Sequence, residues 1–267
     1  MLRLLQDVAD EVINPRFRDL AVGEVTEKGP GDLVTVADHE AEALITAALV
    51  AAYPDAVVLG EEAESVDASL MGRFREAEHA FTVDPVDGTK NFVAGSPDHA
   101  VMVSEIAYGR VVRGWIWQPQ HRAAYVAERG GGAWHNGEPI TRPPARPPLR
   151  GVTARRSWVG RTLGGLAPLE LTWVCCGVDY PKLVEGAADF VLYRHGKPWD
   201  HGPGSLLLEE AGAFVGTGDG EAYQPQLDSP AWLVAAADRP TYDLVRALLT
   251  PPAPPSSAGR RTARGHR

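Results

Sequence analysis

The tightest constraint on the fold is a series of strand-like runs joined by connections too short to hold a helix. "AVMVSEIAY" (100–108), "VVRGWIWQP" (111–119) and "AAYVAERG" (123–130) follow one another across "YGR" and "PQH". Strands joined so tightly pair antiparallel, so this stretch predicts a meander, and "HNGE" (135–138) adds a tight-turn signal beyond it. Upstream, "AVVLG" (56–60) and "AFTV" (80–83) read as further strands. Two helices precede them. Leu2, Leu5, Val8, Ala9, Val12 and Ile13 form one apolar stripe over 2–13. Ala41, Leu44, Ile45, Ala48, Leu49 and Ala52 form another over 38–52, with Asp38 placed to cap free backbone N–H groups at its start.

The stiff, donor-poor "RPPARPPLR" (142–150) marks an internal break. It divides an N-terminal α+β lobe, 1–145, from a C-terminal α/β lobe, 146–250. In the second lobe "LELTWVCCGV" (169–178) reads as a strand, "YPKLVEGAA" (180–188) as a helix and "DFVLYR" (189–194) as a strand. A helix at "GSLLLEEAG" (204–212), a strand at "WLVAAA" (232–237) and a helix over 241–249 follow. The fold class is therefore α+β, layered, in two lobes. The Pro/Arg-rich tail, 251–267, is expected to be disordered.

At 267 residues and 44% hydrophobic, the chain can bury a sizeable core. No apolar run approaches the roughly 18–20 residues that span a bilayer. "MLRLLQDVADEV" turns acidic too early for a secretory signal. A cytoplasmic protein without a membrane partner is expected. Net charge is −9 although "GRRTARGHR" at the end carries four arginines, so the rest of the chain is more acidic still. Such a surface argues against a nucleic-acid polymer as partner. The two cysteines, Cys175 and Cys176, are adjacent, a spacing that suits neither a mutual bridge nor a zinc knuckle; they read as reduced core thiols.

Within that frame "FTVDPVDGTKNF" (81–92) poses a problem, because an apolar run ends in two carboxylates, Asp84 and Asp87. Like charges so close repel, and desolvation sharpens the repulsion. Three more acidic islands stand at the edges of apolar or glycine-containing stretches: Asp38, Glu61 with Glu62 in "GEE", and Asp200 in "PWDHGPG". Each alone has a plain reading. Asp38 is a helix cap, "GEE" a solvated turn, and Asp200 the cap of a helix over 201–211 with Pro203 at its third position. His201 reads as a surface residue or one that supports the site. Together, hard oxygen ligands without an associated cysteine suit Mg2+ rather than zinc, and cations make clustered carboxylates favourable. The Val86 carbonyl offers another oxygen, and Gly88 permits close backbone approach to a ligand. A helix starting near Thr89 would present free N–H groups to a phosphate. Haloacid-dehalogenase phosphatases place one residue between their aspartates; the two here, Pro85 and Val86, disfavour a covalent phospho-aspartate.

"KGPGDLVTVAD", "GEE", "DPVDGTKNF", "GAWHNGEPI", "EGAADF" and "PWDHGPGSLLLEEAGA", in that order, resemble the inositol monophosphatase superfamily of Mg2+-dependent, lithium-sensitive phosphatases. The resemblance covers roughly residues 1–250 and implies a layered αβαβα sandwich. It implies a first metal on Glu61, Asp84 and the Val86 carbonyl, and a second on Asp84, Asp87 and Asp200. A third, mostly hydrated ion would be near Glu61. Thr89, supported by Asp38, would orient the attacking water with Glu61 nearby, and the N–H groups of Gly88 and Thr89 would grip the phosphate. The family's usual Trp-Asp-x-Ala-Ala-Gly reads Trp199-Asp200-His201-Gly202-Pro203-Gly204 here. Seven residues before Asp200 stands Tyr193, where inositol phosphatases hold sugar hydroxyls with a glutamate; Cys176 falls where the inositol pocket is lined by a smaller residue. The implied substrate is a small phosphate monoester: a polyol or sugar phosphate first, then histidinol phosphate, then a nucleoside 3′,5′-bisphosphate. The alternative of another class is a non-catalytic regulatory protein that binds metal and phosphate. Dimers are common in the family, which makes a homodimer an expectation.

Overall fold

An α-helix, α1 (Leu2–Val8), runs into a π-helical turn over Ala9–Ile13, just ahead of Pro15, which has no N–H to continue an α ladder. The computed structural model describes residues 1–194, 196–227 and 232–249. The 251–267 tail lies outside the described residues. An antiparallel ribbon of β1 (Val25–Gly29) and β2 (Asp32–Thr35) leads into α2 (Val36–Ala52). This helix starts two residues earlier than its periodicity suggests. Thr35 is its cap, with Oγ1 accepting from the Ala37 N–H at 3.2 Å, and Asp38 Oδ2 accepts from the Thr35 N–H at 2.9 Å. Asp38 is thus the returning member of a capping box rather than the cap. The buried stripe also differs: Ala37, Ala41, Ile45 and Leu49 face inward, Leu44 is exposed, and Glu42 is buried.

The first large sheet has seven strands in chain order: β3 (Val57–Gly60), β4 (His79–Asp87), β5 (Ala100–Ala107), β6 (Arg110–Gln118), β7 (Ala123–Glu128), β8 (Gly132–His135) and β9 (Glu138–Pro139). β3 and β4 are parallel and the rest antiparallel, so the expected meander is present. The "HNGE" turn holds Asn136 and Gly137 both at positive φ, 51° and 85°, which matches the twist of a hairpin. Three helices lie along this stretch: α3 (Glu61–Val66), α4 (Ser69–Glu76) and the short α5 (Thr89–Val93). "GEE" is therefore a strand-to-helix junction, with Glu62 buried, rather than a solvated turn.

The second sheet contains β10 (Gly151–Thr153), β11 (Glu170–Leu171), β12 (Phe190–Tyr193), β13 (Phe214–Thr217) and β14 (Leu233–Ala236), in the order β11-β10-β12-β14-β13. "LELTWVCCGV" yields only the two-residue β11. Val174 then turns the chain at φ 59°, and α6 (Cys176–Val184) begins inside the expected strand. Next comes α7 (Pro198–Glu210), which starts six residues ahead of the expected "GSLLLEEAG" with Pro198 in its first turn, where a missing N–H costs nothing. Asp200 lies within that first turn, not at its cap, and Pro203 lies inside the helix. The chain's close-packed α7 passes β6 at Gly114, where an added Cβ would stand 3.0 Å from the Pro203 backbone. α8 (Arg239–Leu249) ends the described residues.

Strand periodicity sorts the side chains into layers. Phe81, Val83, Val101 and Val103 pack with Leu5, Val8, Ala41 and Ile45 from α1 and α2. Their alternates, Ala80, Ala100, Met102 and Ile116, pack with Val178, Tyr180, Leu206 and Leu207 from α6 and α7. On the far side of those helices are Val191, Tyr193, Leu233 and Ala235, whose own alternates Phe190, Leu192, Val234 and Ala236 meet Tyr242 and Val245 of α8. The sequence of layers is αβαβα. Each fully buried side chain of this size contributes about 1.5–3 kcal/mol, so both sheets are held from both faces.

Candidate active site

In a regular strand, residues three apart point to opposite faces. Asp84 pairs with Met102, but Asp87 pairs with Ala100, so β4 carries one extra residue between them. That bulge reverses the parity and brings both carboxylates to the face occupied by Met102 and Ala100. Val86 goes to the opposite core. Gly88 follows at φ 81°, with Cys175 Cβ and the Asp98 carbonyl 2.9 and 3.0 Å from where a Cβ would be, so only glycine fits. The first turn of α7 delivers Asp200 from across the layer. Carboxylate oxygens of Asp84, Asp87 and Asp200 lie within 4.8 Å of one another.

The remaining sequence candidates gather round this trio. A cavity of about 220 Å³ is lined by Glu61, Asp84, Val86, Asp87, Gly88, Thr89 and Asp200. The Thr89 hydroxyl lies 3.1 Å from Asp38 Oδ1 and 3.0 Å from the Val86 carbonyl; it donates its one hydrogen to either, which leaves its oxygen able to accept at the cavity it lines. Three residues that sequence reading did not single out complete the frame. Lys28 on β1 reaches Glu61 Oε1 at 2.7 Å and Glu62 Oε1 at 2.9 Å. Glu42 accepts the N–H groups of Glu62 and Ala63, each at 2.8 Å, and so caps α3 from α2. Asp179 accepts from the Trp173 N–H at 2.9 Å and from the Tyr193 hydroxyl at 3.3 Å. The lysine of "KGPGDLVTVAD" was a visible signal for the first; nothing local marks the other two.

A second cavity, about 300 Å³, shares Asp87, Val174 and Asp200 with the first and adds Thr172, Cys176, Asp179, Tyr193, Arg194 and His201. Tyr193 is buried, its ring 5.7 Å from Tyr180 in a stacked arrangement and 4.7 Å from His201. Its aromatic faces are thus largely covered by protein. His201, expected on the surface or in support, is 1% exposed and lines this cavity. A larger groove of about 500 Å³ near Arg3, Trp117 and Arg122 lies among none of these carboxylates.

Burial dominates the electrostatics. It raises Asp84 and Asp200 well above the ordinary carboxylate range, reinforced by Glu61, Asp87 and Asp200 around Asp84 and by Asp87 and Glu61 around Asp200. Asp87 is pushed up to about 6 by burial, against hydrogen bonds from Cys175 and the backbone of Gly177, Gly88 and Cys176. Asp38 rises to about 6 and Glu61 to about 7, again by burial, with Lys28 restraining Glu61. Asp84 Oδ1 is buried without a hydrogen-bond partner among the described residues. Five acids held this way, with an Asp84 oxygen left over and oxygen donors converging, fit a hard divalent cation.

The family described as the inositol monophosphatase family matches residues 2–250. Nus factor SuhB of Pseudomonas aeruginosa is 33% identical over 231 residues, covering 78% of this chain and 80% of that protein. Inositol-1-monophosphatase of Mesorhizobium japonicum is 34% identical over 210 residues, covering 74% of this chain and 76% of that protein. The solved structure of an IMPase/NADP phosphatase complexed with Mg2+ and phosphate aligns over 93% of this chain and 94% of its own, with a TM-score of 0.78 at 21% identity, a likeness of fold. The chain belongs to the inositol monophosphatase family and is by class a phosphoric monoester hydrolase.

Proposed function

We propose that the chain hydrolyses a small polyol or sugar phosphate with Mg2+, by direct attack of water and without a phospho-enzyme. The observation that carries this reading is the convergence of Asp84, Asp87 and Asp200 oxygens within 4.8 Å at a cavity that also holds Glu61 and Thr89. The likeness to a structure complexed with Mg2+ and phosphate supports the choice of cation. Asp84, Asp87 and Asp200, with Glu61 and the Val86 carbonyl, would hold two or three Mg2+ ions. Bound there, Mg2+ supplies the Lewis-acid charge that acidifies water and offsets charge on the phosphoryl and leaving oxygens.

The chain's own residues do the rest. The Thr89 oxygen accepts a hydrogen bond from the attacking water and so aims it, while the hydroxyl donates its own hydrogen bond to Asp38 or the Val86 carbonyl. Glu61 stands at the same cavity to take the one proton that the water gives up as it attacks. The Gly88–Thr89 turn, opening α5, presents backbone to the phosphate. The second cavity, small and lined by Thr172, Asp179, Arg194 and Asp200, receives a small polar leaving group. Lithium in the millimolar range is expected to inhibit by entering one Mg2+ position. The two sheets are read as two lobes dividing near residue 145, working in a cytoplasmic homodimer.

One relative is named a Nus factor and not a phosphatase, which keeps a regulatory protein that binds metal and phosphate without turnover as the second reading. The test is phosphate release, with and without Mg2+, across inositol 1-phosphate, histidinol phosphate, fructose 1,6-bisphosphate, adenosine 3′,5′-bisphosphate and glycerol 2-phosphate. Mg2+-dependent release is expected, strongest on a polyol or sugar phosphate. No release from folded, metal-loaded protein would favour the regulatory reading.

A further inference from the structure

We propose that Cys176, Asp200 and His201 form a second cation site, softer than the carboxylate trio, that takes Zn2+ or another thiophilic divalent ion. One ligand atom from each of the three lies within 4.8 Å of the other two, and all three line the same cavity of about 300 Å³. Cys176 is the first residue of α6, and Asp200 and His201 are consecutive in the first turn of α7, so two helix starts meet here. The imidazole is oriented: the Tyr180 hydroxyl lies 3.0 Å from His201 Nδ1, and the Tyr193 ring packs 4.7 Å away. An outer partner of this kind is what fixes ring direction at metal sites. Zn2+ holds thiolate and imidazole at about 2.0–2.3 Å, with donors roughly 3.3–3.8 Å apart, a spacing inside the 4.8 Å within which the three donor atoms lie.

The two cysteines differ. Cys175 is buried and its thiol donates to Asp87 at 2.9 Å, a structural role. Both line the cavity, and Cys176 is the partly exposed one. The carboxylate trio offers only oxygen, whereas this set adds sulfur and nitrogen, the chemistry that selects Zn2+ over Mg2+. Binding exchanges a proton for the metal: the Cys176 S–H bond breaks, a sulfur–metal bond forms, and the proton passes to solvent. Asp200 belongs to both sets, so a thiophilic ion here draws a carboxylate from the Mg2+ position and adds positive charge beside it. That consequence, inhibition by trace Zn2+, rests on the proposed function; the binding itself does not.

The test uses Co2+ as a spectroscopic stand-in, added to the full chain in excess Mg2+. A near-ultraviolet thiolate-to-cobalt absorption is expected, abolished by Zn2+, absent in Cys176→Ser and retained in Cys175→Ser. His201→Gln should weaken Zn2+ binding about 10–100-fold. On the unmodified protein, Zn2+ but not Mg2+ should protect Cys176 from alkylation, mapped by peptide mass, which keeps the test alive if a variant fails to fold. No thiolate band, a band that follows Cys175, or unprotected Cys176 would overturn the site. Zn2+ should also inhibit Mg2+-dependent phosphate release, with at least tenfold more needed in Cys176→Ser. A thiolate band in a protein that releases no phosphate would sink the phosphatase reading and leave this site standing.

Discussion

Asp87 shows how much one residue is asked to do. Its carboxylate converges on Asp84 and Asp200 while Oδ2 accepts from the Cys175 thiol at 2.9 Å and the Gly177 N–H at 2.5 Å. Asp87→Asn keeps an oxygen for those bonds and removes the charge, so the fold should survive. Phosphate release should fall by about 10²–10³-fold or more; circular dichroism with a turnover assay checks both, and wild-type turnover would refute the assignment. Thr89→Ala removes the group between Asp38 and Val86, with kcat expected to fall about 10²–10⁴-fold at little change in KM. A loss confined to KM would show Thr89 binding rather than aiming water. Asp84, Asp87 and Thr89 stood out because their motif is local and contains Gly-Thr, and Asp200 stood out separately as the acid of "PWDHGPG". Glu42 and Asp179 were not, because each acts through partners distant in sequence, and Lys28 was visible in "KGPGDLVTVAD" only without its partners Glu61 and Glu62. His201 was read as a surface or supporting residue; its burial against Tyr180 and Tyr193, which are not its neighbours in the chain, rules out the surface half of that reading.

Elements carry the same division. The meander and its "HNGE" turn were readable from short connections, and the "FVLY" and "WLVAAA" strands from their apolar runs. "LELTWVCCGV" was not, since a short, largely apolar run suits strand or helix alike, and the turn at Val174 ends β11 early. Nor could the sequence show that α3 depends on α2. Glu42 is buried, held above its usual pKa by burial, and takes two N–H groups at the start of α3. Gly60 makes room for it, since a Cβ there would stand 2.3 Å from the Glu42 carboxyl carbon. Glu42→Ala leaves those two donors without their acceptor and should cost about 1–3 kcal/mol. Urea denaturation measures this; an unchanged midpoint would mean that water replaces the carboxylate at no loss.

For the whole molecule, the alternation of each sheet between two cores produces the αβαβα layers; blocks of strands and helices pointed only to a layered α/β or α+β fold, and the resemblance implied the order of the layers. The same burial makes stability depend on pH and metal. Asp38 and Asp87 titrate at about 6 and Glu61 at about 7 in the folded, metal-free chain, all above their unfolded values. The folded state therefore binds more protons across that window, and metal-free stability should fall as pH rises from about 4 to 7. Cations bind the ionised carboxylates, so Mg2+ should raise Tm more at pH 8 than at pH 5.5. Thermal unfolding with and without Mg2+ at the two pH values checks this, and an equal shift at both would contradict it. The most direct measurement is a Mg2+ titration of phosphate release by wild type and Asp84→Asn, with the metal first removed by chelation. Wild-type activity should be absent without Mg2+ and rise to saturation, and Asp84→Asn should stay at least about 10²-fold below it. Full turnover in chelator, or wild-type turnover in the folded variant, would contradict a metal-dependent carboxylate site.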